Sequence, residues 1–81
     1  MKIQVLGTGC TRCKDLTANA ERAVQELGLE ARVEKITEIT DIMKFQILMT
    51  PGLVIDGQVK AAGRIPSVEE IKQMIMAAGG N

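Results

Sequence analysis

The feature that most restricts the fold is the pattern of one amphipathic helix, which is preceded and followed in the sequence by a segment of alternating polar and apolar residues. The segments KIQVL (2–6) and EARVEKI (30–36) alternate with the period of a β-strand. Between them, apolar residues recur at helical spacing up to Leu27, and Gly28 is a typical helix end. A strand, a helix and a second strand in this order predict two parallel strands joined by a right-handed crossover.

The second half of the chain predicts a hairpin and a final helix. The dipeptide Asp56–Gly57 lies between two β-rich runs and favours a type I′ turn that joins two antiparallel strands. Ser67 and Glu70 form a capping-box pattern at the start of an apolar stripe with helical spacing. We expect the two glycines at 79–80 to end that last helix.

A short helix is expected between the second strand and the hairpin. Thr37 is its expected N-cap, and Ile39, Ile42 and Met43 are expected to face the core. The predicted order of elements is therefore β-α-β-α-β-β-α. A chain of 81 residues has room for one small domain, which we assign to residues 1–81.

Charge and aromatic content argue against several classes of partner. Ten basic and ten acidic residues give a formal net charge of zero, so nothing electrostatic favours binding to nucleic acid or an anionic membrane. Phe45 is the only aromatic residue, which leaves no set of rings on which bases could stack. No segment has the length of a membrane span or the pattern of a secretory leader, so we expect a cytoplasmic protein.

Cys10 and Cys13 are the only cysteines, and they lie at the turn between the first strand and the first helix. If the helix begins at Cys10 or Thr11, its N-terminus stabilises the Cys10 thiolate and lowers the pKa of that thiol. Cys13 is one turn further and continues the apolar stripe, so it is expected to face inward. The pair is close enough in the chain to form a Cys10–Cys13 disulfide. We predict that Cys10 attacks a substrate disulfide and that Cys13 resolves the mixed disulfide.

The absence of histidine limits what else these cysteines can do. It excludes Cys–His nucleophilic catalysis and the Cys2His2 type of zinc site. Two thiolates within one chain cannot complete the four ligands that zinc takes. We therefore predict no metal site and no cofactor.

Arg12 and Lys14 add positive charge to the first helical turn. Cations there oppose the helix dipole by about 0.3–1 kcal/mol each, so helix stability alone does not favour them. A neighbouring thiolate would give both cations a favourable partner, and we count Arg12 among the predicted substrate-binding residues. The alternative is that both are solvated surface residues, since exposed charges interact weakly.

Three segments together resemble the small thioredoxin-like proteins. They are GTGCTRC (7–13), TPGLVIDGQV (50–59) and AAGRIPSVEEI (61–71), and they occur in the order found in that family. The closest resemblance is to the short redox-active disulfide proteins of bacteria and archaea, which are of glutaredoxin size. The resemblance implies an α/β thioredoxin-like fold, with a four-stranded mixed sheet of order 2-1-3-4 and helices on both faces.

The resemblance also assigns roles to individual residues. Cys10 matches the exposed nucleophile of the family and Cys13 its buried partner. Thr50 and Pro51 match the segment before the third strand, which implies a cis peptide bond and a Thr50 backbone that pairs with an extended substrate. Gly63 resembles the small residue that the family places near the site, although a glycine that simply ends a strand is an equal alternative.

The implied function is thiol–disulfide exchange in cell redox homeostasis and electron transport. The implied partners are protein disulfide substrates and a reductant, and we expect the chain to act as a monomer. Thr11 and Arg12 stand between the cysteines where thioredoxins carry Gly-Pro, and the chain has no tyrosine. The sequence therefore does not specify whether the reductant is thioredoxin reductase, glutathione or another donor.

Two alternatives use the same thiols differently. GTGCTRC after a strand also resembles the heavy-metal-associated domain of copper chaperones, in which two thiolates bind Cu(I). Those domains end on a strand, whereas the helix that Ser67 begins is the last element predicted here. A third reading is a partner-binding protein whose dithiol senses redox state or binds a soft metalloid. Met49, just before Thr50, is the methionine expected nearest to the thiols.

Overall fold

A computed structural model describes residues 1–9, 11–47 and 49–78. Its elements follow the predicted order β-α-β-α-β-β-α. They are β1 (Lys2–Leu6), α1 (Thr11–Leu27), β2 (Arg32–Ile36), α2 (Ile39–Met43), β3 (Gly52–Ile55), β4 (Gln58–Ala62) and α3 (Val68–Ala78). The predicted stop signals at 79–80 lie outside the described residues.

The four strands form one sheet in the order β2-β1-β3-β4, which confirms the predicted arrangement. Strands β1 and β2 are parallel because α1 carries the chain back across the sheet between them. The β3–β4 pair is antiparallel and turns at Asp56–Gly57, where both residues have positive φ (49° and 85°), as a type I′ turn requires. Antiparallel pairing of β1 with β3 completes the sheet.

The two faces of the sheet are covered by different helices, as predicted. Ile3 and Val5 of β1 point to the face on which α1 and α3 pack, whereas Leu6 points to the face on which α2 packs. This division follows from the alternation of side chains along a strand. The larger cluster between the sheet and the two long helices also includes the buried residues Leu16, Ala20, Ala23, Val24, Leu53, Ile55, Ala61, Ile71 and Ile75.

The details predicted for α2 are wrong. Its N-cap is Glu38 rather than Thr37, and no side chain caps the helix. Of the three residues expected to face inward, only Ile42 is buried, and Ile39 and Met43 are 62% and 66% exposed. The physical reason is length, since a helix of five residues has less than two turns and presents only one position to the sheet.

The capping box of α3 is present and makes a pH-dependent contribution to stability. Glu70 Oε1 accepts a hydrogen bond from the Ser67 backbone N–H, and Ser67 Oγ accepts one from the Glu70 N–H, both at 3.1 Å. The hydrogen bond from the Ser67 backbone, followed by that from Arg64, lowers the pKa of the Glu70 carboxyl below its ordinary value of 4.5. The carboxylate therefore stabilises the fold above that value, and its contribution is lost as pH falls through the lowered pKa.

Replacing Glu70 with glutamine tests this contribution. The amide oxygen of Glu70→Gln can still accept the Ser67 hydrogen bond, but the negative charge is lost. We expect the variant to unfold at lower urea concentration than the parent at neutral pH, and the two midpoints to converge in acid. A difference between the midpoints that stays constant down to acidic pH would show that the charge of Glu70 does not stabilise the fold.

No helix in the described part of the chain combines the length and apolar character that crossing a bilayer requires.

Candidate functional site

The candidate site lies where the chain leaves β1 and enters α1. Cys10 is outside the residues that the structure describes, so its role as nucleophile and the Cys10–Cys13 disulfide stay predictions. The residues on either side of Cys10 are described: Gly9 has a φ of 90°, and Thr11 is the first residue of α1. A left-handed glycine here permits the sharp change of direction from strand to helix.

Cys13 faces the protein interior, as the helical periodicity predicts. Its side chain is 5% exposed and lies against Gly7, which is itself buried. A Cβ atom added at Gly7 would overlap Cys13 Sγ and would lie 3.0 Å from Cys13 Cβ. Thr17, one turn later and also buried, donates a hydrogen bond from Oγ1 to the Cys13 carbonyl at 2.9 Å. The sulfur of Cys13 therefore occupies space that only a glycine at position 7 leaves open.

Arg12 connects the start of α1 to the loop that follows β4. Its Nη2 donates a hydrogen bond to the carbonyl oxygen of Gly63 at 3.1 Å, and the Gly63 N–H donates to the Pro51 carbonyl at 2.8 Å. Three segments that are distant in sequence are thus joined beside the start of α1. Substrate binding by Arg12 stays a prediction. The hydrogen bond to Gly63 gives Arg12 a structural role that its place in the sequence does not reveal.

The segment before β3 has the cis peptide bond that the resemblance implies. The bond joins Thr50, which is exposed, to Pro51, which is buried. Next to it, Met49 is 62% exposed and packs toward Gly63, where a Cβ would lie 3.0 Å from Met49 Cβ. Gly63 also has a φ of 77°, so both its backbone conformation and its neighbour favour glycine. Substrate binding by Thr50 and Pro51 stays a prediction.

A cleft that sequence reasoning did not find opens beside Cys13. It has a volume of about 60 Å³ and runs between the start of α1 and the end of β2. Six of the residues that line it are Gly7, Gly9, Cys13, Lys14, Thr17 and Lys35. The sequence predicts a thiolate partner or plain solvation for Lys14 and no role for Lys35, because the two residues come together only when β2 lies beside β1.

The described residues include no cluster of three or more cysteine, histidine, aspartate or glutamate side chains placed to hold a metal ion. The soft-metal alternative needs only the thiolates of Cys10 and Cys13.

Removing the Arg12 hydrogen bond should cost a small but measurable amount of stability. We expect Arg12→Gln to lower the free energy of unfolding by about 0.5–1 kcal/mol, because an exposed hydrogen bond contributes at the low end of the usual range. Urea denaturation of the reduced protein measures the change. Arg12→Lys keeps the charge but loses the planar donor group, so it separates charge from hydrogen bonding. Parental stability in both variants would contradict a structural role for this contact.

Comparison with known proteins agrees with this geometry. Residues 1–76 match the thioredoxin domain family. A thioredoxin from Methanothermobacter thermautotrophicus is 48% identical over 75 residues, covering 93% of this chain and 97% of that protein. A thioredoxin from Methanocaldococcus jannaschii is 41% identical over 71 residues, covering 88% of this chain and 81% of the relative. The chain therefore belongs to the thioredoxin domain family.

Proposed function

We propose that this protein is a thiol–disulfide oxidoreductase in which Cys10 is the nucleophile and Cys13 the resolving thiol. Membership of the thioredoxin domain family supports the reaction class. The observation that carries the assignment of roles is the burial of Cys13 in the first turn of α1, against Gly7. A buried Cys13 suits the role of the resolving thiol, which attacks the mixed disulfide between Cys10 and the substrate from the protein side.

The proposed reaction has two exchange steps. The Cys10 thiolate attacks one sulfur of the substrate disulfide, which forms a mixed disulfide and releases one substrate thiolate. The Cys13 thiolate then attacks the Cys10 sulfur, which forms the Cys10–Cys13 disulfide and releases the second substrate thiolate. Two electrons pass from the protein to the substrate, and the protons of the two cysteine thiols end on the two product thiols. A separate reductant returns the protein to the dithiol form.

The proposed substrates are protein disulfides, bound as extended segments beside Thr50 and Pro51. Thr50 is exposed and lies just before β3, so its backbone can pair with an extended segment of the substrate. The exposed side chain of Met49 offers an adaptable apolar contact next to that position. We propose that the protein works as a monomer in the cytoplasm. It needs no cofactor in this proposal, because both electrons are carried by its own sulfur atoms.

Equilibration in glutathione buffers of graded redox ratio tests the proposal. We expect both thiols to be lost together at a defined ratio, with a loss of two hydrogens in the mass of the intact chain. A Cu(I) titration of the reduced protein runs beside it. A chain that binds Cu(I) tightly but never forms the intramolecular disulfide would overturn the redox proposal in favour of soft-metal binding.

A further inference from the structure

The cleft beside Cys13 has the charge and position of a binding subsite. Lys14, from the first turn of α1, and Lys35, from β2, both line it. None of the described residues that line the cleft is acidic, and neither lysine has an ion-pair partner among the residues that the structure describes. Two lysines that line one small cleft and have no ion-pair partner among the described residues create a region of positive potential that an anion can neutralise.

The cleft also reaches one of the two proposed reacting residues, Cys13. Cys13 forms part of its inner wall, and Gly9, which is bonded to Cys10, forms another part. Its volume of about 60 Å³ is enough for a carboxylate, since a single water molecule needs roughly 10–15 Å³. Val5 and Gly7 make part of the wall apolar, which suits the short carbon chain between a sulfur and an acidic group.

We propose that this cleft binds the acidic group of a small-molecule disulfide, so that, among low-molecular-weight disulfides, the protein exchanges preferentially with those that carry a carboxylate or a similar anion. This inference rests on the proposed function. Lys14 and Lys35 bind the anion while Cys10 attacks the nearer sulfur and one acidic thiolate leaves. Cys13 then attacks the Cys10 sulfur and releases the second acidic thiolate, so two electrons and two protons reach the small molecule.

Three disulfides of similar size and different charge test the preference. They are dithiodipropionate, which is anionic, hydroxyethyl disulfide, which is neutral, and cystamine, which is cationic. The rate at which each oxidises the reduced protein is divided by its rate with dithiothreitol, which corrects for intrinsic reactivity. We expect the corrected rate to be highest for dithiodipropionate and lowest for cystamine, and the difference to shrink as salt is added.

Single substitutions assign the preference to the cleft. Lys14→Gln and Lys35→Gln should each lower the ratio of the anionic to the neutral corrected rate by about two- to fivefold, the range expected for a solvent-exposed charge pair. Lys60→Gln is the matched control. It removes the same charge from β4, at the opposite edge of the sheet from β2, and should leave the ratio unchanged.

The outcomes separate this inference from the proposed function. If none of the three disulfides oxidises the protein to its intramolecular disulfide, the proposed function itself fails. If all three react with equal corrected rates, or if Lys60→Gln lowers the ratio as much as the cleft variants do, exchange is intact and the subsite is overturned. A loss of preference confined to Lys14→Gln and Lys35→Gln supports the subsite.

Discussion

Replacing Cys10 with serine should lower disulfide reduction by roughly a thousandfold or more, because a hydroxyl has no accessible anionic form at neutral pH. Replacing Cys13 with serine should have a different result. The first exchange step is intact in Cys13→Ser, so the substrate should accumulate as a mixed disulfide on Cys10. The two variants therefore distinguish the nucleophile from the resolving thiol.

Mass spectrometry of intact protein after exposure to a substrate disulfide measures this difference. We expect a covalent adduct on Cys13→Ser and none on Cys10→Ser. The double variant, with serine at both positions, is the control for non-covalent carry-over of the substrate. An adduct on Cys10→Ser but not on Cys13→Ser would reverse the two roles and would be inconsistent with the burial of Cys13.

Replacing Gly7 with alanine should lower the free energy of unfolding by about 1–3 kcal/mol, the usual cost of inserting a methyl group into a packed interior. The cost comes from packing rather than from the backbone, because Gly7 is not among the glycines with positive φ. The added Cβ would overlap Cys13 Sγ, so the Cys13 side chain must be displaced in the folded variant. The same shift should slow resolution of the mixed disulfide, since the Cys13 sulfur would no longer be held in place.

A double-mutant cycle with Cys13→Ala isolates this contact. Removing Sγ takes away the overlapping atom, so Gly7→Ala should cost less than half as much in the Cys13→Ala background. Gly28→Ala is the matched control, because Gly28 has a φ of 68° and nothing within 4 Å of an added Cβ. Its cost should be equal in both backgrounds. Equal costs for Gly7→Ala in the two backgrounds would show that Gly7 does not position the Cys13 sulfur.

Features that depend on neighbours in the chain were predicted from the sequence. The Asp56–Gly57 hairpin, the end of α1 at Leu27 and the inward orientation of Cys13 all follow from turn chemistry or helical period. Where that local signal is weak, the element was predicted but its details were not. In α2 the β-branched residues have no strong helix preference, and the short helix buries only Ile42 against the sheet.

The sequence by itself determined the order of the elements, the parallel β1–β2 pair and the inward-facing Cys13 in the first turn of α1. Only the tertiary structure decided which distant residues lie near that turn. Arg12 bonds to Gly63, 51 residues away, and Lys14 shares a cleft with Lys35 across two elements. Such contacts join segments that are far apart in the chain. A local pattern of residues does not specify the distances between such segments, because these depend on how the strands and helices pack.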